Sequence, residues 1–275
     1  MVWTGSRHLW RSLVSPVSRL SSTAYEKVWG SPLTEPWYRN PERRNIGEVW
    51  FAASPAVPLL VKILFTSERL SVQVHPDDEY GWKHENSRGK TEMWHILRAE
   101  PGARIATGLL KPVTRDELEA ACLCGDVVGM LDWVPVQKGD TFFIPAGTIH
   151  AIGGGVTLCE VQELSDVTYR LYDYGRPREL HLERGLEVSL LSPRDARAGG
   201  DGVLVECEHF LTTRLDVRGV VGCTARAKNS LYIALEGEGT IGGLEFGPGD
   251  GFEVAGAAGF EIESPEAAFL ITSER

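Results

Sequence analysis

The stretch that decides the fold is Gly139-Asp-Thr-Phe-Phe-Ile-Pro-Ala-Gly-Thr-Ile-His150. It predicts a strand at Thr141–Ile144, a tight turn at residues 145–147 and a return strand that opens on His150. A histidine in this position points into the mouth of a small β-barrel, where several ligands of one metal ion can converge. A structural histidine after an ordinary hairpin is the alternative, but the complete Pro-x-Gly-x-x-His spacing favours the metal ligand.

This hairpin matches the second half of the cupin signature, a motif of metal-binding jelly-roll barrels. The chain of 275 residues has room for one large domain or two of ordinary size. Its 30 glycines, together with many β-branched residues and turn pairs, favour a mainly β fold. We therefore predict a cupin-type jelly-roll barrel with a few short helices.

A second β unit is expected after the Gly- and Asp-rich linker at residues 197–202. The turn Gly247-Pro-Gly-Asp250 imitates Gly139-Asp140, and short strands with Gly-rich turns surround it. The sequence thus divides into an extension at residues 1–24, a catalytic metal-binding domain at residues 25–196 and a degenerate cupin-like unit at residues 203–275. We expect a structural role for this last unit, because it contains a single histidine, His209, and no cluster of ligands.

Hydrophobic alternation and turn residues place the other elements. Thr114 and Glu117 form a capping box that opens a short helix ending at Gly125. Residues 77–88 are predicted as a loop. Further helices are expected at residues 127–131 and 182–191, and strands at residues 25–29, 46–52, 58–64, 69–75, 91–98, 157–164, 210–215, 230–236, 239–241, 250–254 and 269–272.

Composition excludes several classes of partner. The formal net charge of -10 argues against nucleic acid, although a focused basic pocket can still bind an anionic substrate. No run approaches the roughly 18 apolar residues of a membrane helix, so we expect a soluble protein. Five cysteines without a C-x-x-C pair favour reduced thiols in the cytoplasm.

Residues 1–24 differ from the rest of the chain. They contain Arg7, Arg11 and Arg19, several serines and no acidic residue, which is typical of an organelle-targeting transit peptide. A frayed, exposed extension and an upstream start codon are the alternatives. The fold prediction therefore leaves this segment out.

Four polar side chains are expected to face one barrel interior. Gln73 and His75 lie two residues apart on one strand, and Glu92 shares a face with Trp94 on the next. Burying such groups is costly unless something ligates them. Together with His150 they offer two imidazoles, a carboxylate and an amide oxygen, which suits one Zn²⁺ per chain, with Mn²⁺, Fe²⁺ or Co²⁺ possible.

Four sequence blocks in combination resemble the type I mannose-6-phosphate isomerases in their short bacterial form. They are Gln73-Val-His-Pro-Asp-Asp78, Gly89-Lys-Thr-Glu-Met93, Pro145-Ala-Gly-Thr-Ile-His-Ala151 and residues 165–176. The resemblance implies that the zinc ligands are Gln73, His75, Glu92 and His150, and that Arg170 is an active-site residue. Glutamine replaces the first histidine of the cupin signature, which favours the isomerases over the cupin dioxygenases.

The reaction implied by this resemblance interconverts mannose 6-phosphate and fructose 6-phosphate through an enediolate. Arg170 is expected to stabilise its negative oxygen. Glu160 is one candidate proton carrier, with a metal-bound water or a histidine as others, and a surface carboxylate on an edge strand is the alternative for Glu160 itself. We expect Lys90 and Arg176 to bind the phosphate, unless Arg176 instead pairs with Asp173 on the surface.

Two rival functions remain open from the sequence. One is a cupin oxygenase that uses Fe²⁺, and the other is a sugar-binding cupin without turnover. Lys90 and Arg170 beside a complete ligand set argue against the second. The sequence allows either a monomer or a homodimer.

Overall fold

The structure is a computed structural model that describes residues 15–200, 202–224, 228–256 and 258–275. In this part of the chain three antiparallel sheets dominate, which confirms the predicted mainly β fold. The strands of the first half are β1 (Val17–Arg19), β2 (Ser21–Ser31), β3 (Ile46–Ala52), β4 (Leu59–Phe65), β5 (Val72–Val74), β6 (Glu92–Ala99), β7 (Arg104–Leu109), β8 (Leu131–Pro135), β9 (Thr141–Ile144), β10 (His150–Ile152), β11 (Val156–Glu163) and β12 (Tyr169–Tyr172). Those of the second half are β13 (Arg197–Ala198), β14 (Val203–Glu206), β15 (Phe210–Thr224), β16 (Ser230–Glu236), β17 (Gly239–Ile241), β18 (Leu244–Phe246), β19 (Gly251–Val254) and β20 (Gly259–Glu274). The helices are α1 (Asp78–Glu85), α2 (Arg115–Cys124), α3 (Val127–Met130) and α4 (Leu182–Val188).

Two of the sheets form a first barrel. One has seven strands in the order β13-β9-β6-β11-β4-β3-β2, and the other has five in the order β12-β5-β10-β7-β8. Their inner faces share one apolar cluster, to which Leu64 and Trp94 contribute from the larger sheet and Ile105 and Ile152 from the smaller. The third sheet, of eight strands, belongs to the C-terminal β unit and includes the path β1-β19-β16-β20-β15-β14.

The central strands β4, β6 and β11 of the seven-stranded sheet are buried on both faces. On β6, Trp94 and Ile96 belong to the interior of the first barrel, whereas Met93 and Leu97 belong to a cluster that also holds Leu270 of the C-terminal unit. The predicted alternation along this strand is therefore confirmed. Because side chains alternate along a strand, Glu92 points into the first barrel together with Trp94.

The helices α2, α3 and α4 cover the outer face of the five-stranded sheet, where Leu118, Val127 and Leu186 join Val74 and Leu171 in a third cluster. Helix α2 begins with the predicted capping box. The Thr114 Oγ1 accepts from Glu117 N (3.2 Å), and the Glu117 carboxylate accepts from Thr114 N (2.7 Å). None of the helices in the described residues is both long and apolar enough to cross a membrane.

Helix α1 lies where the sequence predicted a loop. Its Asp77 N-cap accepts a hydrogen bond from Tyr80 N (2.8 Å), and Asn86 ends it in the left-handed conformation (φ 52°). Only Gly81 of this helix is buried, so no apolar stripe marks it in the sequence. Strands β7 and β8 were also missed, and they complete the five-stranded sheet.

The start of the described chain differs from the expected free extension. Val17–Arg19 pairs with Val254, Glu253 and Phe252 of β19, and the following residues from Ser21 pair with β3. The Arg19 guanidinium also lies 2.6 Å from the Asp250 carboxylate. A free extension is therefore wrong for residues 15–24, which contact the folded chain, while the rest of the proposed targeting segment, residues 1–14, lies outside the described residues.

Phe210→Ala tests the contact between the first barrel and the C-terminal unit. Phe210 is fully buried in the cluster shared by the two parts. Its truncation leaves a cavity, so we expect the free energy of unfolding to fall by about 3–5 kcal/mol. Val220→Ala on the same strand is the control, because Val220 is 58% exposed. Chemical denaturation of both variants checks this; equal effects would place Phe210 outside the stabilising core.

Candidate metal centre and active-site cavity

The four predicted ligands come together inside the first barrel. Gln73 on β5 pairs in register with His150 on one side and with Arg170 on the other, so these three side chains lie in one row across the five-stranded sheet. His75 follows β5, and Glu92 reaches the same point from β6 on the opposite sheet. Burial of His75, Glu92 and His150 is essentially complete.

Both histidines present a lone pair to the centre. The Nδ1 atom of His75 lies 2.9 Å from the Val167 carbonyl oxygen, and Nδ1 of His150 lies 2.8 Å from that of Thr148. Because a carbonyl oxygen only accepts, each Nδ1 carries the proton and each Nε2 remains an acceptor. Burial lowers the pKa of His150 to about 4 and lowers the pKa of His75 well below its usual value. Both rings are therefore neutral, as metal ligands must be.

The donor set fits a divalent metal ion. The Glu92 Oε1 atom lies 3.4 Å from His150 Nε2, and Oε2 lies 3.6 Å from His75 Nε2. These four atoms are all acceptors, and Oε1 has no hydrogen-bond donor among the described residues. An orphan carboxylate oxygen buried beside two imidazole lone pairs needs a shared cation. Two histidines and one carboxylate match the ligand preferences of Zn²⁺.

Two side chains donate to this group. The Gln73 amide nitrogen lies 3.2 Å from His150 Nε2, and the Lys90 ammonium lies 3.0 Å from His75 Nε2 and also donates to Glu92 Oε2. Burial lowers the pKa of Lys90, but the carboxylates of Glu160 and Glu92 outweigh it and raise the pKa to about 12. The ammonium therefore stays charged beside the predicted ligands. Lys90 is buried inside the barrel.

Glu160 faces the same interior from the middle of a sheet. Its strand, β11, lies between β6 and β4, and the residue is 4% exposed, so the alternative of a surface carboxylate on an edge strand is wrong. The Trp94 indole N–H donates to it (3.0 Å). Burial raises the pKa of Glu160, yet Lys90 and Lys62 outweigh burial and lower it below its ordinary value. Burial and the Glu160 charge raise the pKa of Glu92 to about 7.

A cavity of about 250 Å³ lies beside this centre, with Gln73, Lys90 and Glu160 in its lining. It is lined by five cationic side chains, Lys27, Lys62, Lys90, Arg170 and Arg178, and by three acidic ones, Glu48, Glu160 and Asp166. Lys27, Lys62 and Arg178 were not singled out from the sequence. A signal for Lys62 exists, because it is the one charged residue in the otherwise apolar strand Leu59–Phe65, and lysine is rarely buried unless paired. Its ammonium lies 3.5 Å from the Glu160 carboxylate and 4.3 Å from the centre of the Trp50 ring.

The predicted arginines differ in position. Arg170 lines the cavity, and its guanidinium donates to the Glu179 carbonyl (2.7 Å), while its buried Nε has no acceptor within the described chain. Arg176 is held by Glu68 (2.8 Å) and Asp173 (3.3 Å) and is absent from the residues lining the cavity. The structure therefore brings Arg170 to the centre but leaves Arg176 in the ion pair that was considered as its alternative.

His209 is not isolated, which corrects the expectation for the C-terminal unit. Its Nδ1 lies 3.1 Å from the Glu163 carboxylate, and together with Asp78 these residues form a second group of possible ligands. The sequence did not show this contact, because the three residues lie far apart along the chain.

Comparison with known proteins gives a consistent set of similarities. No family model matches the chain. It is 38% identical over 202 residues to the mannose-6-phosphate isomerase of Streptococcus mutans serotype c (strain ATCC 700610 / UA159), covering 68% of this chain and 64% of that protein. It is 32% identical over 237 residues to the probable mannose-6-phosphate isomerase GmuF of Bacillus subtilis (strain 168), covering 80% of this chain and 73% of that one. The match to the first of these relatives thus spans less than two thirds of its length.

Solved structures share the architecture. The crystal structure of the mannose 6-phosphate isomerase from Bacillus subtilis superposes with a TM-score of 0.82 at 27% identity, covering 92% of this chain and 98% of that chain. A putative mannosephosphate isomerase from Archaeoglobus fulgidus gives a TM-score of 0.79 at 19% identity over 96% of this chain and 99% of that chain, which supports the fold alone. The cupin-type architecture predicted from the sequence is confirmed.

Proposed function

The chain belongs to the mannose-6-phosphate isomerase family, and we propose that it interconverts mannose 6-phosphate and fructose 6-phosphate. The observation that carries this proposal is the buried centre of His75, Glu92 and His150, beside a cavity lined by five cationic and three acidic side chains. Such a cavity is suited to an anionic sugar in a protein of net negative charge. Family membership also disfavours the iron oxygenase and the non-catalytic sugar-binding module.

We propose Zn²⁺ as the metal, which His75 Nε2, His150 Nε2 and the Glu92 carboxylate would hold. Gln73 would join them through its amide oxygen once its amide group, whose nitrogen lies 3.2 Å from His150 Nε2, has turned over. When bound, the ion supplies a Lewis acid that polarises sugar oxygens. The same donors also suit Mn²⁺, Fe²⁺ or Co²⁺. The two backbone carbonyls that fix the histidine tautomers leave each Nε2 as an acceptor that would bind such an ion.

The reaction moves a proton between C2 and C1 of the sugar, and negative charge develops on an enediolate oxygen. We propose that Arg170 stabilises this charge, which is supported by its row with Gln73 and His150 and by an unused Nε donor among the described residues. We propose Glu160 as the proton carrier, which is supported by Lys90 and Lys62, because they lower the pKa of its carboxyl inside the cavity.

We propose a different arginine for the contact with the phosphate group of the substrate. Arg176 was predicted for this role, but it does not line the cavity, and its guanidinium binds Glu68 and Asp173. Arg178 lines the cavity instead, held by two hydrogen bonds to Asp173 (2.6 and 2.7 Å) that fix its orientation. We propose that Arg178 and the half-exposed Lys27 at the cavity wall bind the phosphate.

Lys90→Gln distinguishes two roles for the buried ammonium. If Lys90 binds phosphate, as the sequence suggested, its loss raises KM. Its contacts with His75 and Glu92 instead predict a fall in kcat of about a hundredfold with KM nearly unchanged, because the lost charge lies beside the reacting end of the sugar. Steady-state kinetics with mannose 6-phosphate measure both constants; a large rise in KM at constant kcat would restore the phosphate role.

A coupled assay for fructose 6-phosphate tests the proposed activity directly. The purified, zinc-loaded chain is expected to convert mannose 6-phosphate and to be inactive on free mannose, while oxygen consumption stays at background. Absence of product from any phosphosugar, with metal bound, would favour the non-catalytic module. Oxygen uptake with Fe²⁺ would favour the oxygenase.

We further propose a cytoplasmic location, supported by five cysteines that are all free. A phosphosugar is the proposed partner, without nucleic acid or membrane, and the chain acts as a monomer or homodimer. These proposals rest on composition and family, since the net charge of -10 disfavours nucleic acid.

A further inference from the structure

A second group of ligand-type side chains lies between helix α1, the end of β11 and the start of the C-terminal unit. It consists of Asp78, Glu163 and His209, whose ligand atoms all lie within 4.8 Å of one another. None of the three belongs to the proposed active site. Each comes from a different part of the chain, so the fold alone brings them together.

The carboxylate of Glu163 is buried and incompletely bonded. The residue is 1% exposed, and its Oε1 accepts a hydrogen bond from Thr91 N (2.8 Å). Its Oε2 accepts no hydrogen bond from the described residues, although His209 Nδ1 lies only 3.1 Å away. An acceptor oxygen and a ring nitrogen that approach closely without a hydrogen bond are arranged like two ligands of one cation.

The charges around Glu163 also call for a cation. Asp78 lies close enough that, after burial itself, its negative charge contributes to raising the pKa of Glu163 to about 7. Two carboxylates this close, of which Glu163 is buried and Asp78 partly exposed, repel unless a proton or a metal ion lies between them. On the far side of the ring, His209 Nε2 lies 3.5 Å from the Glu208 carboxylate. A carboxylate at that nitrogen orients an imidazole whose other nitrogen binds metal.

We propose that Asp78, Glu163 and His209 bind a second divalent ion, Zn²⁺ or Mn²⁺, which fastens the C-terminal unit to the segment that carries Lys90. One imidazole and two carboxylates are suitable ligands for either ion. The same two carboxylates accept from the backbone N–H groups of Gly89 (2.7 Å) and Thr91 (2.8 Å), on either side of Lys90. The ion thus has a structural task, separate from the chemistry in the first barrel.

Equilibrium dialysis against Zn²⁺ tests this site by stoichiometry. Wild type is expected to bind two ions per chain, and His209→Ala one. His150→Ala, which removes the active centre, is also expected to keep one, and His84→Ala, which changes an exposed histidine of α1, is expected to keep two. A wild type with one ion, or a His150→Ala variant with none, would overturn the proposal and leave a shared proton between Asp78 and Glu163.

A second measurement covers the case in which His209→Ala fails to fold. In the His150→Ala background, Zn²⁺ is expected to raise the melting temperature, because an ion that binds only the folded state stabilises it. Adding Glu163→Gln, which keeps an acceptor for Thr91 N, is expected to abolish this rise. A rise that persists unchanged in the double variant would assign the ion to another place and refute the site.

Discussion

His150→Ala is expected to abolish binding of the active-centre metal and to reduce turnover by about three orders of magnitude. The imidazole offers a neutral Nε2 beside the orphan oxygen of Glu92, so its removal leaves too few donors. A Lewis acid contributes several kcal/mol to stabilising an enediolate, and about 4 kcal/mol corresponds to this loss in rate. Metal analysis of the purified variant and the coupled assay together measure the effect.

His84→Ala is the matched control for this experiment. His84 lies on α1, is exposed and stacks on Tyr80, with ring centroids 4.1 Å apart. Its loss is expected to leave metal content and turnover unchanged. Full activity of His150→Ala without any bound metal would rule out the metal centre.

Arg170→Ala is expected to lower kcat by about a hundredfold while the metal content and the melting temperature stay near normal. The guanidinium lines the cavity in the same row as Gln73 and His150. A donor that meets the developing charge is typically worth about 3 kcal/mol, and the loss falls on kcat because the interaction forms in the transition state. Single-turnover kinetics and thermal melting separate this effect from a structural one.

Arg176→Ala provides the control for Arg170. Its guanidinium binds Glu68 and the buried Asp173 outside the cavity, and Asp173 keeps its two hydrogen bonds from Arg178, so we expect little change in kcat. If Arg170→Ala instead unfolds early but keeps kcat when folded, its contact with the Glu179 carbonyl is structural and the catalytic assignment is wrong.

Much of the fold was accessible from the sequence because local signals were strong there. The turn after β9, the capping box of α2 and the alternation along β6 each depend on a few neighbouring residues. The same local rules placed Gln73 and His75 on one face. In the structure, the pairing of β5 with β10 brings Gln73 next to His150. The sequence predicted that these two residues lie close together only because both are suitable ligands of one metal ion.

The remaining features depend on contacts between distant residues. Periodicity cannot show that Lys62 would meet Glu160, because this contact depends on the pairing of β4 with β11, in which the two residues are direct partners. Nor can it show that Arg178, not Arg176, would face the cavity, because both lie in the loop after β12. The contact of His209 with Glu163 was missed for the same reason, because the two residues lie far apart along the chain. Helix α1 was missed because it buries only a glycine, so its caps were the sole local signal.

Strand β1 connects the two halves of the molecule. It pairs with β19 of the C-terminal unit, and β2, which begins two residues after β1 ends, pairs with β3 of the first barrel. The apolar cluster behind β6 is likewise completed by residues of both halves, among them Met93 and Leu270. Separating the halves would expose this cluster and strip β1 from its sheet, so each half would lose part of its core, although each also contains a cluster of its own. The first barrel and the C-terminal unit are therefore expected to melt together as one cooperative unit.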